Sequence, residues 1–248
     1  ELKSTNDFWD RDYMPIQLGE NEFLKYRYYP DYLVKSKNKK DIETITDATK
    51  VLHGMGISCR STNLILDGGN MVPCGPYIVM TDKVFSENRK KKDDTDFKAL
   101  LESELGHPVV IIPWTSHEDD VYGHSDGFIK WCGDNRILMG NHGDCYPEEA
   151  ASIRRILESY GFEVTEIRFK DKVDTPCYEL NWAYINFLQV GKNIIIPKFD
   201  IDEDAIALQY IQTAFPNCNI RQIEIEMKEI AQKGGALHCL SWNVYLPK

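Results

Sequence analysis

The sequence predicts an α/β fold in which one ββαβ module recurs around a ring, and three observations predict it. Four Gly-centred turns, at Gly19, Gly75, Gly133 and Gly191, each separate two strand-like runs, and they are spaced 56, 58 and 58 residues apart. A helical pattern and a further strand-like run follow three of these turns, and a fainter version follows the first. The last stretch, GGALHCLSWNVYLPK, reads as the opening strand of a fifth unit, and ELKST reads as the closing strand of one, so the termini are expected to meet. A repeat of this length implies units that bury their apolar faces on their neighbours. One domain over residues 1–248 follows, rather than two.

In the first unit, YMPIQLGENEFLKYRY reads as a hairpin about Gly-Glu-Asn, with a helix in DIETITDATKVLHG and a strand near STNLIL. The second opens with NMVPCGPYIVM. Its helix, DTDFKALLESELGHP, carries Phe97, Leu100, Leu101 and Leu105 at helical spacing, is capped by Thr95 or Asp96, and stops at Gly106 and Pro108 before VVIIPW. The third unit runs FIKWCGDNRILM, then PEEAASIRRILESYG with Pro147 and two glutamates in the first turn and Gly161 past the end, then FEVTEIRF. The fourth runs NFLQVGKNIII, then DEDAIALQYIQTAFP, stopped by Pro216, then NIRQIEI. The charged run ENRKKKDD is expected to be a solvated surface loop.

A hydrophobic content of 42% and a charged content of 27% describe an ordinary globular chain. The net charge of −10 disfavours nucleic acid as a partner and favours cationic ligands through the field. No stretch approaches a membrane span or a signal peptide, so no membrane partner is expected. Seven cysteines at irregular spacings do not form a disulfide framework, which points to a reducing, cytoplasmic setting. The chain does not start with Met and reads as a trimmed form of a longer one. Oligomeric state is left open, a homo-oligomer included.

Polar residues gather at one place in the repeat. Asp12 and Asp126 each stand seven residues before their turn glycine. His124 stands two before Asp126 and, in an extended segment, would point to the same side. Asp67 in LDGGN lies one residue out of phase, Asn186 in WAYINF falls at a fourth lead-in, and Cys239 in GGALHC at a fifth. Taken singly, each has an ordinary explanation: aspartates cap strand starts, a histidine is hydrogen-bonded structure, and a cysteine after two glycines is a small buried residue in a turn. Together at one rim they form a set: a thiol nucleophile, a histidine for proton transfer, and carboxylates for a cation. Cys and His are too scattered for a zinc spacing, so neither metal nor other cofactor is expected.

These segments carry a family resemblance. NDFWDRDYMP is similar to the W-x-R-D-x-x-P signature of agmatine deiminases and bacterial peptidylarginine deiminases, LDGGN to their E-G-G, GHSDGF to their H-x-D, YINF to their V-N-F, and GGALHC to their G-G-x-x-H-C. The order is the same, and the matches run from Trp9 to Cys239. The resemblance implies the guanidine-modifying, or pentein, superfamily and its five-bladed pseudo-symmetric α/β propeller. Three departures stand out. The chain is expected to lack most of the family's N-terminal unit beyond its final strand. Asp67 stands in place of Glu, and MVPCGPYIVM replaces the usual D-G-x-G-T run.

The implied reaction is hydrolysis of a guanidinium group with release of ammonia. A guanidinium is a permanently charged planar fork of donors, which two carboxylates can grip bidentately. Asp12 and Asp126 are the candidates, with Trp9 and Asn186 as further substrate contacts; Asn186 alternatively positions the Cys239 loop. Cys239 attacks as thiolate, His124 is the general acid and then base, and Asp67 orients the imidazole. Asp67 is expected within hydrogen-bond reach of His124, with the other ring nitrogen toward Cys239. Arg11, beside Asp12, reads as a structural partner. An agmatine-like guanidinoalkylamine is favoured over substrates bearing a carboxylate. Peptidylarginine or free arginine deimination and amidino transfer are the alternatives. A Cys-His amide hydrolase would want an oxyanion hole in place of paired acids, and an inactive binding relative would have no use for the cysteine and histidine.

Overall fold

The computed structural model describes residues 5–115 and 120–245. These residues form four three-stranded sheets. The first holds β1 (Ile16–Gly19), β2 (Glu22–Arg27) and β3 (Arg60–Ile65); the second β4 (Val72–Cys74), β5 (Tyr77–Thr81) and β6 (Val109–Ile112). The third holds β7 (Ile129–Trp131), β8 (Arg136–Met139) and β9 (Glu163–Glu166); the fourth β10 (Leu188–Val190), β11 (Asn193–Ile196) and β12 (Asn219–Gln222). In every sheet the first two strands pair antiparallel, and the third joins the middle strand in parallel. The four Gly-centred hairpins and the ββαβ module are thus present. A parallel return needs a crossover, and the helices Ala48–Met55, Thr95–Leu105, Pro147–Ser159 and Glu203–Ala214 supply it.

Local chemistry moves some boundaries. The second crossover helix is capped by Asp94, not Thr95 or Asp96: its carboxylate accepts the Phe97 N–H at 2.8 Å. Phe97, Leu101 and Leu105 are buried, but Leu100 is exposed. The first crossover splits into a 3-10 turn at Asp41–Thr44 and a helix that begins only after the Asp47 cap. Modules interlock through strand alternation. In β5, Ile78 and Met80 pack into a core shared with the first module, and Val79 into one shared with the third. In β8, Leu138 packs toward the fourth module, and Ile137 and Met139 toward the second.

The expected fifth opening strand is absent from residues 234–245, which are turn and irregular chain. The cause is where its backbone groups are spent. Ala236 and Cys239 N–H donate to Asn186 Oδ1, His238 N–H to Asn186 O, and Leu240 and Ser241 N–H close local turns. The segment nonetheless bridges the first and fourth modules: Trp242 Nε1 donates to Pro15 O at 2.8 Å and Asn243 Nδ2 to Gln189 O at 2.7 Å. The ELKST strand falls largely outside the described residues, and Thr5 carries no strand. Glu87, at the start of the run expected to be solvated, is buried. No helix among the described residues is long and apolar enough to cross a membrane.

Candidate active site

A single helical turn precedes each opening strand: Asp10–Tyr13 before β1, Gly68–Asn70 before β4, Ser125–Gly127 before β7 and Trp182–Ile185 before β10. Asp67 and His124 are the extended residues leading into the second and third of these turns, so they hold equivalent positions. Asp126 lies inside its turn rather than on an extended segment with His124. The coil of the chain, not strand alternation, brings the two to one site.

The side chains converge. Asp67 Oδ2 lies 3.0 Å from His124 Nε2, and Asp12 Oδ1 lies 3.5 Å from His124 Nδ1. The Nδ1 side, expected to look toward Cys239, therefore looks first at Asp12. Asp126 Oδ2 accepts from His238 Nδ1 at 2.6 Å and faces Cys239 Sγ at 3.7 Å. Asp12, Asp67, His124, Asp126, Asn186 and Cys239 are all buried. Two adjoining cavities, of about 430 and 290 Å³, meet at Cys239 and His124; Asp126 lines the larger, and Asp12 and Trp9 the smaller.

The glycines of the motifs admit this convergence. A Cβ on Gly69 would sit 2.7 Å from His124 Nδ1, 2.8 Å from Asp12 Oδ1 and 3.2 Å from Asp126 Oδ1. Its N–H also donates to Asp12 Oδ1 at 2.9 Å. In GGALHC, a Cβ on Gly235 would strike the Trp9 ring at 2.1 Å, and Gly234, at φ +91°, lies against Tyr122. Trp9 thus packs on the Cys239 loop as well as walling the smaller cavity. Gly69→Ala is expected to cost about 1–3 kcal/mol of stability through overpacking. It should also lower kcat/KM by about tenfold, because side chains displaced by a fraction of an ångström lose their alignment. Thermal unfolding and steady-state kinetics on the folded variant check both parts.

Asn186, named above among the substrate contacts, is wholly buried and spends its side chain on structure. Its Oδ1 accepts the N–H groups of Ala236 and Cys239, each at 3.2 Å, and its Nδ2 donates to Asp126 O at 3.4 Å. It positions the Cys239 loop. Arg11 clasps that loop from the other side: its backbone N–H donates to Cys239 O, its Nε to His238 O and its Nη2 to Asn243 Oδ1. Sequence reasoning gave His238 no role, although it stands in the quoted motif beside the cysteine. It also missed Tyr32 and Tyr122, whose rings flank His124, and Lys83, whose ammonium lies over the Tyr32 ring.

Burial and neighbouring charge set the protonation states. Burial opposes the charge on His124, but Asp12 and Asp67 outweigh it and raise its pKa to about 9. Burial, then the nearby Asp67 and Asp126, raise Asp12 to about 7 despite His124 and the Gly69 N–H. Burial also works against ionisation of Asp126, yet the bond from His238 and the charges of His124 and Arg11 hold it below the ordinary range. His238, buried and facing Arg11 and Lys130, is driven down to about 3 and acts as a neutral donor. Burial, Asp126 and Asp12 push the Cys239 thiol well up. The resting site thus pairs an imidazolium with a thiol.

The Porphyromonas-type peptidyl-arginine deiminase family model matches residues 2–244. The chain belongs to this family. A putative agmatine deiminase from Vibrio parahaemolyticus is 37% identical to it over 276 residues, covering 96% of this chain and 76% of that protein. The agmatine deiminase of Ectopseudomonas mendocina is 24% identical over 76% of this chain, which spans 59% of that relative's length. The solved structure of C. jejuni agmatine deiminase superposes with a TM-score of 0.75 at 20% identity, covering 95% of this chain and 72% of that one. The deiminase family's α/β pentein fold is therefore the fold of this chain, with four sheets among the described residues.

Proposed function

We propose that this chain hydrolyses the guanidinium group of a small guanidino compound, as one catalytic domain over residues 1–248, through a covalent intermediate on Cys239. The observation that carries the reading is the convergence of Cys239 and His124 with two separate buried carboxylates, Asp12 and Asp126, where two cavities meet. Two buried acids facing shared space favour a further cation there, and a guanidinium, a planar fork of donors, is a cation that two carboxylates can grip.

Substrate charge also readies the nucleophile. The carboxylates that keep Cys239 protonated are offset when a guanidinium sits between them, which favours thiolate at the moment carbon is in reach. The S–H proton passes to solvent as the cation enters and is regained when the C–S bond later breaks. The thiolate adds to the guanidinium carbon, and His124 donates its proton to the departing nitrogen, which leaves as ammonia. Nε2 is held by Asp67 at 3.0 Å and Nδ1 faces Asp12 at a longer 3.5 Å, so Nδ1 is the ring atom that serves a substrate gripped by Asp12. The neutral imidazole then takes a proton from water, the oxygen adds to the same carbon, and the C–S bond breaks to give the ureido product. Water is the only co-reactant the balance needs. Asn186 and Arg11 hold the loop rather than touch the substrate.

A cationic tail fits the surroundings best. Lys233 is the one Lys or Arg among the described residues lining the two cavities, against Asp7, Asp12, Asp41, Asp120, Asp126 and Glu179. Arg11, the basic residue of the signature, is occupied by the Cys239 loop. An agmatine-like substrate is therefore favoured over free arginine. Ammonia release from a panel including both tests this. Preference for agmatine is expected, and a clear preference for arginine or an arginyl peptide would overturn the substrate choice.

The titrations give a pH profile. Asp12 must be ionised to grip the cation, and its raised pKa means that this is lost as pH falls through about 7. His124 must be protonated to act as acid, and this is lost as pH rises through about 9. A bell-shaped kcat/KM with limbs near these values is expected. An activity that keeps rising past pH 10 would contradict the role of His124.

A further inference from the structure

Lys83 is buried where a lysine has no solvent to meet: its side chain is 1% exposed. It opens the short helical turn Lys83–Glu87 that follows β5. Its stem passes beside Gly123, the residue before His124, where a Cβ would approach the Lys83 Cδ to 3.1 Å and the Trp114 ring to 2.7 Å. The ammonium lies 3.1 Å from Glu87 Oε1, 3.3 Å from Asp31 Oδ1 and 3.8 Å from Asp67 Oδ2, and 4.6 Å from the centre of the Tyr32 ring. Asp67 Oδ2 therefore faces two cations, this ammonium and His124 Nε2. Asp67 Oδ1 has no hydrogen-bond partner among the described residues.

Acids press on the imidazole from several elements. Asp12 comes from the turn before β1, Asp67 from the lead-in to β4, Glu87 from the turn after β5, and Asp126 from the turn before β7. Tyr32 and Tyr122 contribute ring contacts, and Asp31 acts at one remove through Lys83. Carboxylates alone would lock the ring as an ion pair, and a locked imidazolium is a poor donor. A general acid works best with its pKa near the working pH. Lys83 supplies positive charge against that pressure, through the same carboxylate oxygen that orients the ring.

We propose that Lys83 is a positioning residue for the proton donor: it fixes the Asp67 carboxylate on His124 Nε2 and keeps the imidazolium able to release its proton. The proposal rests on the reading of His124 as the proton donor. Asp67 Oδ2 contacts the ring at 3.0 Å with the ammonium at its flank.

The test compares Lys83→Met and Lys83→Arg in the full chain. Two readouts are taken: the alkaline limb of kcat/KM with agmatine, and the His124 ring titration by NMR, assigned against His124→Gln. In Lys83→Met both are expected to move up by about one pH unit, with kcat down about tenfold and KM little changed. Lys83→Arg should keep both near the parent values. Should the Met variant not fold, Lys83→Gln, which retains hydrogen bonding without charge, carries the same expectation. A folded Met or Gln variant whose limb and ring titration stay put, or move down, overturns the proposal even if it is less stable. If the parent chain releases ammonia from no guanidino compound, the reading of the site fails and the proposal with it. Turnover with an unmoved limb refutes the role of Lys83 alone.

Discussion

Cys239→Ala is expected to bring ammonia release to background, a loss on the order of 10⁴-fold or more, because Cys239 is the one thiol among the described residues that lines both cavities and faces the paired acids. The fold should survive. The loop is held by the Cys239 N–H on Asn186 Oδ1 and by the Cys239 carbonyl under Arg11 N–H, neither of which the substitution touches. The thiol's own contacts are few: it faces Asp126 at a long 3.7 Å and lies against the Ala236 N–H and the Asn186 side chain. An unchanged melting curve beside a dead enzyme is the expected pair of results. Substantial turnover by the folded variant would remove Cys239 as nucleophile.

Asp126→Asn carries the second largest effect. The carboxylate accepts from His238, faces Cys239, counters the charge of Arg11 and, in the proposed mechanism, grips one edge of the guanidinium. Losing one charged hydrogen bond to the transition state costs at least about 2 kcal/mol, or roughly 30-fold in kcat/KM. Arg11 then loses the strongest of the charges that offset it, with Asp12 remaining, so stability should fall as well. Asp12→Asn is expected to lose a similar amount of kcat/KM, and its acid limb near pH 7 should vanish with the group that titrates there. Near-parent efficiency in either variant, on a confirmed substrate, would take that residue out of the clamp.

Much of this was legible in the sequence because it rests on local chemistry. The hairpins follow from glycine-centred turns between β-rich runs, and the crossover helices from their apolar spacing and stop signals. The pairing of Asp67 with His124 followed from the repeat and the family motifs, and the two side chains meet directly. What stayed hidden depends on tertiary partners. Residues 234–245 look like a strand until Asn186, far away in sequence, takes their N–H groups. His238 gave no sign of its task because its partner is 112 residues distant. Glu87 sat in a charge run that pattern reading assigns to solvent, and its burial with Lys83 follows only once the His124 loop packs across it.

The central claim is a covalent bond between Cys239 and the guanidinium carbon. Acid quenching during turnover of agmatine, followed by intact-mass and peptide mass spectrometry, tests it most directly. The chain is expected to gain the mass of the substrate less ammonia, located on the peptide bearing Cys239 and absent from Cys239→Ala. Rapid turnover with no adduct at any quench time, or an adduct on a different residue, would contradict it.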